Sequence, residues 1–212
     1  STGLASKLLR AIVSASGGVM IVALLLTMVC CIVLGMGVPT TATYCIMAAT
    51  CAPILMSPDI GVEMLAAHFF VFYFGIVADI TPPVALAAYA GAAIAKAGPM
   101  KTAFNASRLA IAAFIVPYII AMNPAMLFIN TTIPEVVMIT ISSIIGIFGV
   151  AAGLSGFVFR NMKWWERILC IVGGLTLLVP GSLTDLIGLV LVGAVCVLGY
   201  QAAKKEKEML AA

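Results

Sequence analysis

The sequence predicts an all-α polytopic membrane protein. Of its 212 residues, 64% are hydrophobic and only 9% are charged, whereas a soluble domain carries about 25% charged residues. Several apolar runs approach the length of about 20 residues that a spanning helix needs. These runs are continuously apolar and lack the alternation of apolar and polar residues that is typical of a transmembrane β-strand. The composition therefore excludes a soluble globular protein and favours helices over a barrel.

The first 57 residues predict one surface helix followed by two apolar helices. Residues 4–13 have an amphipathic pattern that is typical of a helix lying along a membrane surface. Residues 18–34 and 40–56 are apolar helices that flank the sequence GMGVPTT. Because each helix is slightly short for a full span, two interpretations stay open. One is a re-entrant hairpin with its tip at residues 35–40, and the other is two spans joined by a tight turn.

A second interruption lies in the sequence ADITPPVALAAYAG. It follows an apolar, aromatic helix predicted over residues 61–77. Pro82 and Pro83 each lack an amide donor and clash with the preceding turn, so this helix has to stop. Thr81 precedes a proline and is therefore directed towards extended geometry. We expect a new helix over residues 84–95 with one of the prolines in its first turn, where proline is tolerated.

The rest of the chain predicts further spans separated by polar connections. A basic connector (96–108) and a loop (130–135) flank a span over 109–128, which we expect to kink at Pro117. The remaining predictions are a span over 136–159, an interfacial loop at RNMKWWER, short helices over 167–179 and 183–200, and a polar tail. In domain terms the predicted segments are an amphipathic arm helix (1–17), a re-entrant helical hairpin (18–57), a discontinuous transmembrane helix (58–98), a connector with a transmembrane helix (99–135), and C-terminal transmembrane helices with a cytoplasmic tail (136–212).

The basic residues predict the orientation of the chain, because cytoplasmic loops carry an excess of Lys and Arg. If the hairpin is re-entrant and residues 61–95 cross once, nine of the eleven basic residues fall on the cytoplasmic side. Lys7 and Arg10 are the exceptions. This fit favours the re-entrant hairpin. The same confinement of positive charge to connecting segments argues against a nucleic-acid partner, and the lipid bilayer is the expected surrounding.

The two interruptions predict one shared binding site. Unwound backbone in a bilayer leaves amides and carbonyls unsatisfied, and it persists only where protein buries it or where it lines a cavity that holds a ligand. Carbonyls at a helix C-terminus and threonine hydroxyls suit Na⁺, and amides at a helix N-terminus suit a carboxylate. The candidate Na⁺ ligands are Gly35, Gly37, Thr41, Asp79 and Thr81. The candidate substrate-binding residues are Pro39, Thr40, Thr41, Thr81 and Pro82.

Simpler interpretations of these residues stay open. The threonines could be helix N-caps, and the glycines could form a hairpin turn that binds nothing. Three ionisable residues also lie in the apolar part of the chain, Glu63, His68 and Asp79, and such residues are functional candidates by default. Glu63 is expected near the interface and His68 as a hydrogen-bonded packing residue, whereas Asp79 directly precedes the second interruption.

Three sequences, GMGVPTTATY, AHFFVFYFG and ITPPVALAAYAGAAIA, resemble the large membrane subunit of TRAP transporters (tripartite ATP-independent periplasmic transporters). The resemblance extends over about residues 18–124. It is closest to the type with fused small and large subunits, which is often paired with a TAXI-type binding protein. It implies the second inverted repeat of a Na⁺-driven elevator, with a re-entrant hairpin and a discontinuous helix.

The resemblance also implies partners and a place in the cell. A periplasmic substrate-binding protein would deliver an organic acid, such as a C4-dicarboxylate, an acidic amino acid or a sialic acid, to a multi-pass protein of the bacterial inner membrane. The chain resembles the C-terminal half of a large subunit, so the remainder of that subunit and the small membrane subunit are expected partners. Na⁺ is the expected coupling ion, and no organic cofactor is expected.

Three alternatives remain at this stage. The first is a Na⁺/carboxylate symporter of another elevator family that uses no binding protein. The second is an intramembrane enzyme that uses Asp79 and His68 as an acid/base pair, although no second carboxylate, nucleophile or metal-ligand spacing accompanies them. The third is a non-transporting assembly subunit whose two interruptions pack against a partner.

Overall fold

A computed structural model describes residues 3–179 and 181–211 of the chain. Four residues lie outside the described part. They are residues 1 and 2 of the predicted arm helix, residue 180 between the last two predicted helices, and residue 212 of the predicted tail. Helices are the regular elements of the described part, together with one isolated bridge between Phe157 and Asn161, and turns and loops connect them. The chain divides into two compact units, one that ends at Leu127 and one that begins at Phe128.

The first unit consists of short helices. Their bounds are α1 Leu4–Ser16, α2 Met20–Gly35, α3 Thr40–Thr50, α4 Ala52–Leu55, α5 Met64–Val77, α6 Leu86–Ile94, α7 Pro99–Leu109 and α8 Ile111–Met122, with 3₁₀ helices at Ala78–Ile80 and Pro124–Leu127.

Helix α5 is the centre of the first unit. It packs against α2, α3 and α8. Its fully buried rings Phe70 and Phe74 meet the Tyr118 ring of α8 edge-on, with ring centroids 5.2 and 5.8 Å from that of Tyr118. Helix α5 is apolar on all sides. One side of it is buried against these neighbours, whereas Leu65, Phe69 and Phe72 stay exposed. The last turn of α5 leads directly into the second interruption, so this packing fixes the position of that interruption.

The structure corrects two predictions in the first unit. The predicted basic connector at residues 96–108 is largely helix α7, with a proline in its first turn. The prediction that a proline lies in the first turn of α6 is wrong, because α6 begins at Leu86, after Ala85 in a left-handed conformation with φ 36°. Helix α8 runs through Pro117, and a bend of 41° lies between α7 and α8. The predicted kink at Pro117 stays a prediction.

The second unit consists of three longer helices, α9 Ile133–Ser155, α10 Trp164–Thr176 and α11 Ser182–Ala211. Helix α10 packs against both α9 and α11. Glycines allow the close approach: a Cβ atom placed on Gly174 would lie 2.6 Å from the carbonyl oxygen of Gly146, and one placed on Gly188 would lie 2.6 Å from that of Gly173. Small residues at such crossings are typical of membrane helix packing.

Two predicted boundaries in the second unit are wrong. Helix α10 begins at Trp164, three residues before the predicted start. There the Glu166 carboxylate accepts a hydrogen bond of 2.7 Å from the Lys163 amide, and it pairs with Arg160 at 2.5 Å. The residues predicted as a polar tail continue helix α11, where Lys204 and Glu208 lie one turn apart, 4.0 Å between the charged atoms. Pairs at this spacing stabilise an exposed helix.

Two described helices are long and apolar enough to cross a membrane, namely Ile133–Ser155 and residues Leu183–Lys204 of α11. The bent pair Pro99–Leu109 and Ile111–Met122 is a third candidate if it acts as one span. Helix α2 and the segments Thr40–Leu55 and Met64–Ile80 are apolar but shorter. The fold is therefore that of a multi-pass membrane protein with full-length candidate spans in the second unit and short, interrupted helices in the first.

Candidate functional site

The first break, residues 36–39, joins α2 to α3 by a tight turn. Gly37 has φ +75°, in the left-handed region that favours glycine. Pro39 follows with extended geometry, φ −56° and ψ 142°, and leads into the first turn of α3. The sequence GMGVP therefore builds the turn through one residue that only glycine adopts without strain and one that fixes its own φ.

The hydrogen bonds of the first break leave part of its backbone free. The Val38 amide donates to the Gly35 carbonyl over 3.3 Å, and the Thr43 hydroxyl donates to the Val38 carbonyl over 3.0 Å. Among the described residues, the carbonyls of Met36 and Gly37 accept no hydrogen bond. Pro39 offers no side-chain cap, and within the described chain no side chain caps the first amides of α3.

The second break, residues 78–85, joins α5 to α6. The Thr81 amide donates to the Ala78 carbonyl and the Ala85 amide to the Thr81 carbonyl, each over 3.2 Å. The Thr81 hydroxyl donates to the Val77 carbonyl over 2.7 Å. The Pro82–Pro83 peptide bond is cis. In a continuous helix the carbonyl of residue 79 would accept from residue 83, which is a proline here, and so that carbonyl is left without its helical donor.

Two side chains outside the second break also donate to it. The Ser107 hydroxyl of α7 donates to the Ile80 carbonyl over 2.9 Å, and the Tyr89 hydroxyl of α6 donates to the Pro83 carbonyl. In the described chain the carbonyls of Asp79 and Pro82 accept no hydrogen bond. The second break is thus partly satisfied by protein and partly open.

The structure brings the two breaks together. Gly35, the last residue of α2, is buried, and a Cβ atom placed on it would lie 3.0 Å from the Ala78 Cβ and 3.2 Å from the Gly75 carbonyl oxygen. A Cβ atom placed on Gly37 would lie 3.9 Å from the Cδ1 atom of Leu86, the first residue of α6. The end of α2 therefore contacts the end of α5, and the tip of the first break faces the start of α6.

The predicted site residues differ in exposure. Thr40 and Thr41 are exposed, and their hydroxyls make no hydrogen bond within the described residues, whereas Thr81 is half-buried and its hydroxyl is used. The Asp79 carboxylate has no hydrogen bond or ion pair in the part of the chain that the structure describes. The others divide into buried (Gly35), half-buried (Asp79, Pro82) and exposed (Gly37, Pro39).

The two other ionisable candidates lie away from the breaks. The Glu63 carboxylate caps the start of α5, accepting hydrogen bonds from the amides of Leu65 and Ala66 over 2.7 and 3.2 Å. The Nδ1 atom of His68 lies 3.1 Å from the Tyr44 hydroxyl. His68 and Asp79 are eleven residues apart along nearly continuous helix, or roughly 16 Å. They cannot exchange a proton directly, which removes the geometry that an acid/base pair requires.

Sequence reasoning missed Thr43, Ser107 and Tyr89. The Thr43 hydroxyl donates to the Val38 carbonyl in the first break. A Cβ atom placed on Gly75 would lie 3.0 Å from the Thr43 Cγ2 atom. Its place in the first turns of α3 was a local signal for a bond back to the preceding turn. Ser107 is 27 residues from its acceptor, and nothing local in the sequence indicates that contact.

Comparisons with known proteins agree with this architecture. The family model described as "Tripartite ATP-independent periplasmic transporter, DctM component" matches residues 1–136. A second model, a domain of unknown function (DUF3394), matches residues 136–192. No curated protein and no solved structure is significantly similar to the chain. The first match covers both breaks and more than half of the sequence.

Proposed function

The chain belongs to the DctM family of tripartite ATP-independent periplasmic transporter components, and from this premise we propose that its two breaks form one site for Na⁺ and a carboxylate substrate. The family is one of transporters and not of enzymes. The proposed activity is Na⁺-coupled import of an organic acid. The observation that carries the proposal is the contact of Gly35 with Ala78 and Gly75, which joins the two breaks.

The oxygen atoms around this contact support the Na⁺ site. Met36 and Gly37 on one side, and Asp79 and Pro82 on the other, carry carbonyls that accept no hydrogen bond from described residues. Hard cations bind oxygen ligands, and unwound carbonyls coordinate Na⁺ in transporters with discontinuous helices. The Asp79 carboxylate and the Thr41 and Thr81 hydroxyls would complete the ligand set. The negative charge of Asp79 would offset the positive charge of the cation.

The start of α3 supports the carboxylate part of the proposal. Pro39 precedes it, and the exposed residues Thr40 and Thr41 place their amides and hydroxyls at the positive end of the helix dipole. The sequence contains no Arg or Lys between residues 11 and 95. The charge of an organic acid would therefore be met in this chain by helix-end amides, with Thr81 and Pro82 forming the opposite wall.

The wider mechanism is proposed from the family. A periplasmic binding protein delivers the organic acid, for example a C4-dicarboxylate or an acidic amino acid. The rest of the large subunit and the small subunit complete the transporter in the bacterial inner membrane. Residues 18–57 act as a re-entrant hairpin and residues 58–98 as a discontinuous helix of a mobile transport domain, which moves as an elevator.

Melting of the complete transporter tests the Na⁺ site. A ligand that binds only the folded state raises the melting temperature. We expect a higher melting temperature in Na⁺ than in K⁺ at equal ionic strength, and a smaller difference in the Thr41→Val variant, which keeps its shape and loses one oxygen. Thr50→Val is the matched control, because the Thr50 hydroxyl donates to Ile46 within α3. Equal melting in the two salts would reject the ion site and favour a non-transporting assembly role.

A further inference from the structure

The carbonyls of the second break follow a selective pattern. Within the described chain, protein donors reach the carbonyls of Ala78, Ile80, Thr81 and Pro83. None reaches the carbonyls of Asp79 and Pro82. Pro82 and Pro83 remove the helical donors of the Ala78 and Asp79 carbonyls. Amides within the break then satisfy the Ala78 and Thr81 carbonyls, whereas the donors to the Ile80 and Pro83 carbonyls are side chains of α7 and α6.

Ser107 satisfies the Ile80 carbonyl from another helix. In a continuous helix that carbonyl would accept from the amide of Val84, a bond that is absent after the break in the described chain. The Ser107 hydroxyl instead donates to Ile80 over 2.9 Å. Its oxygen also lies 3.1 Å from the Ala103 carbonyl of its own helix. The contact with Ile80 is the shorter of the two, and it links α7 to the second break across 27 residues of sequence.

Tyr89 satisfies the Pro83 carbonyl from helix α6. The regular donor for that carbonyl would be the amide of Ala87, which does not reach it. Helices α6 and α7 pack on each other through a small buried cluster of alanines, with Tyr89 beside it. The two hydroxyl donors therefore belong to one packed pair of helices. The sequence alone predicts only a connector in place of the second helix.

We propose that α7, through Ser107, and α6, through Tyr89, brace the second break for ion binding. By occupying the carbonyls of Ile80 and Pro83, they hold those of Asp79 and Pro82 in position for Na⁺. The two hydroxyl residues are positioning residues, because they act through the backbone and do not touch the ion. This inference rests on the proposed function, since it assigns the support of the same Na⁺ site.

Na⁺ titration of the complete transporter tests the brace. The apparent Na⁺ affinity is taken from the rise in melting temperature as Na⁺ replaces K⁺. We expect Ser107→Ala to weaken this affinity by about threefold to tenfold, the effect of one lost hydrogen bond. Ser107→Thr keeps the hydroxyl and should restore it. Thr102→Ala is the matched control in α7, because its hydroxyl donates to the Gly98 carbonyl and not to the break.

Amide hydrogen exchange gives a second measurement that does not depend on Na⁺. In Ser107→Ala the amides of Thr81 and Ala85, which donate within the break, should exchange faster, and in Thr102→Ala they should not. If Ser107→Ala leaves the Na⁺ affinity unchanged while the wild type responds normally to Na⁺, the proposed support by Ser107 is wrong and the Na⁺ site itself is not affected. Unchanged exchange in that variant would overturn the support by Ser107 as well. A wild type that does not respond to Na⁺ would overturn the proposed function and with it the role in ion binding.

Discussion

The two breaks are held in shape by different contacts. Both interrupt an apolar helix, and both contain carbonyls that accept no hydrogen bond from the described residues. The first is shaped from within by Gly37 and Pro39 and is supported by one side chain of the following helix, Thr43. The second is held from outside, because Ser107 reaches it from α7. Thr40 at the first break is exposed, whereas Thr81 at the second is half-buried with its hydroxyl engaged.

This difference assigns different roles to the two breaks. A turn that depends on glycine conformation and has few outside contacts can change shape at low cost, since stability is lowest where contacts are few. A segment that a neighbouring helix holds in place is preorganised. We therefore expect the second break to be the preformed half of the site and the first break to adjust when the ligand arrives.

The largest expected effect comes from separating the two breaks. In Gly35→Ala the new methyl group would lie 3.0 Å from the Ala78 Cβ and 3.2 Å from the Gly75 carbonyl oxygen. We expect a loss of about 1–3 kcal/mol of stability from overpacking, together with loss of the Na⁺-dependent rise in melting temperature. Gly91→Ala is the matched control, because nothing lies within 4 Å of its new methyl group. Equal melting temperatures for the two variants would mean that the breaks are not in contact.

A smaller effect is expected from the conformation of the first break. Gly37 and Gly61 have nearly the same φ, +75° and +73°, and a Cβ atom would meet no closer neighbour than 3.9 Å at either position. Replacing either with alanine should cost about 1–2 kcal/mol of stability through left-handed strain. Only Gly37→Ala should also weaken Na⁺ binding and uptake, because only Gly37 lies in a break.

The control at Gly61 makes this prediction specific. If both variants lower Na⁺ affinity equally, the effect is general destabilisation, and the first break has no special role. The bulkier Gly37→Leu should block transport and leave membrane insertion intact. A Cβ atom on Gly37 has only Leu86 within 4 Å. We therefore attribute such a block to the leucine side chain filling the proposed ligand site, and not to a clash with neighbouring protein atoms.

The sequence predicts much of the fold because its strongest signals are local. GMGVPTT and ITPP alone predict the positions of the two breaks. Glycine permits backbone conformations that other residues avoid, and proline restricts both itself and the residue before it. Helix ends are less predictable. The start of α10 depends on the hydrogen bond from the Lys163 amide to the Glu166 carboxylate. The periodicity of apolar residues does not indicate that hydrogen bond.

The site was predictable in its parts but not in its assembly. That the breaks meet depends on small residues in two helices, Gly35 and Gly75, and their partnership is a tertiary property. The same holds for Ser107, whose acceptor lies on another element. Asp79 was singled out for its charge beside the prolines, and the structure leaves it without a partner among the described residues.

A double-mutant cycle of Na⁺ affinity in the complete transporter tests most directly whether the breaks form one site. The single variants are Thr41→Val in the first break and Thr81→Val in the second. Residues that share a ligand are energetically coupled, whereas independent residues are additive. We predict that the loss of affinity in the double variant departs from the product of the single losses by at least about threefold. Losses that multiply, or an affinity that neither substitution changes, would contradict a shared site.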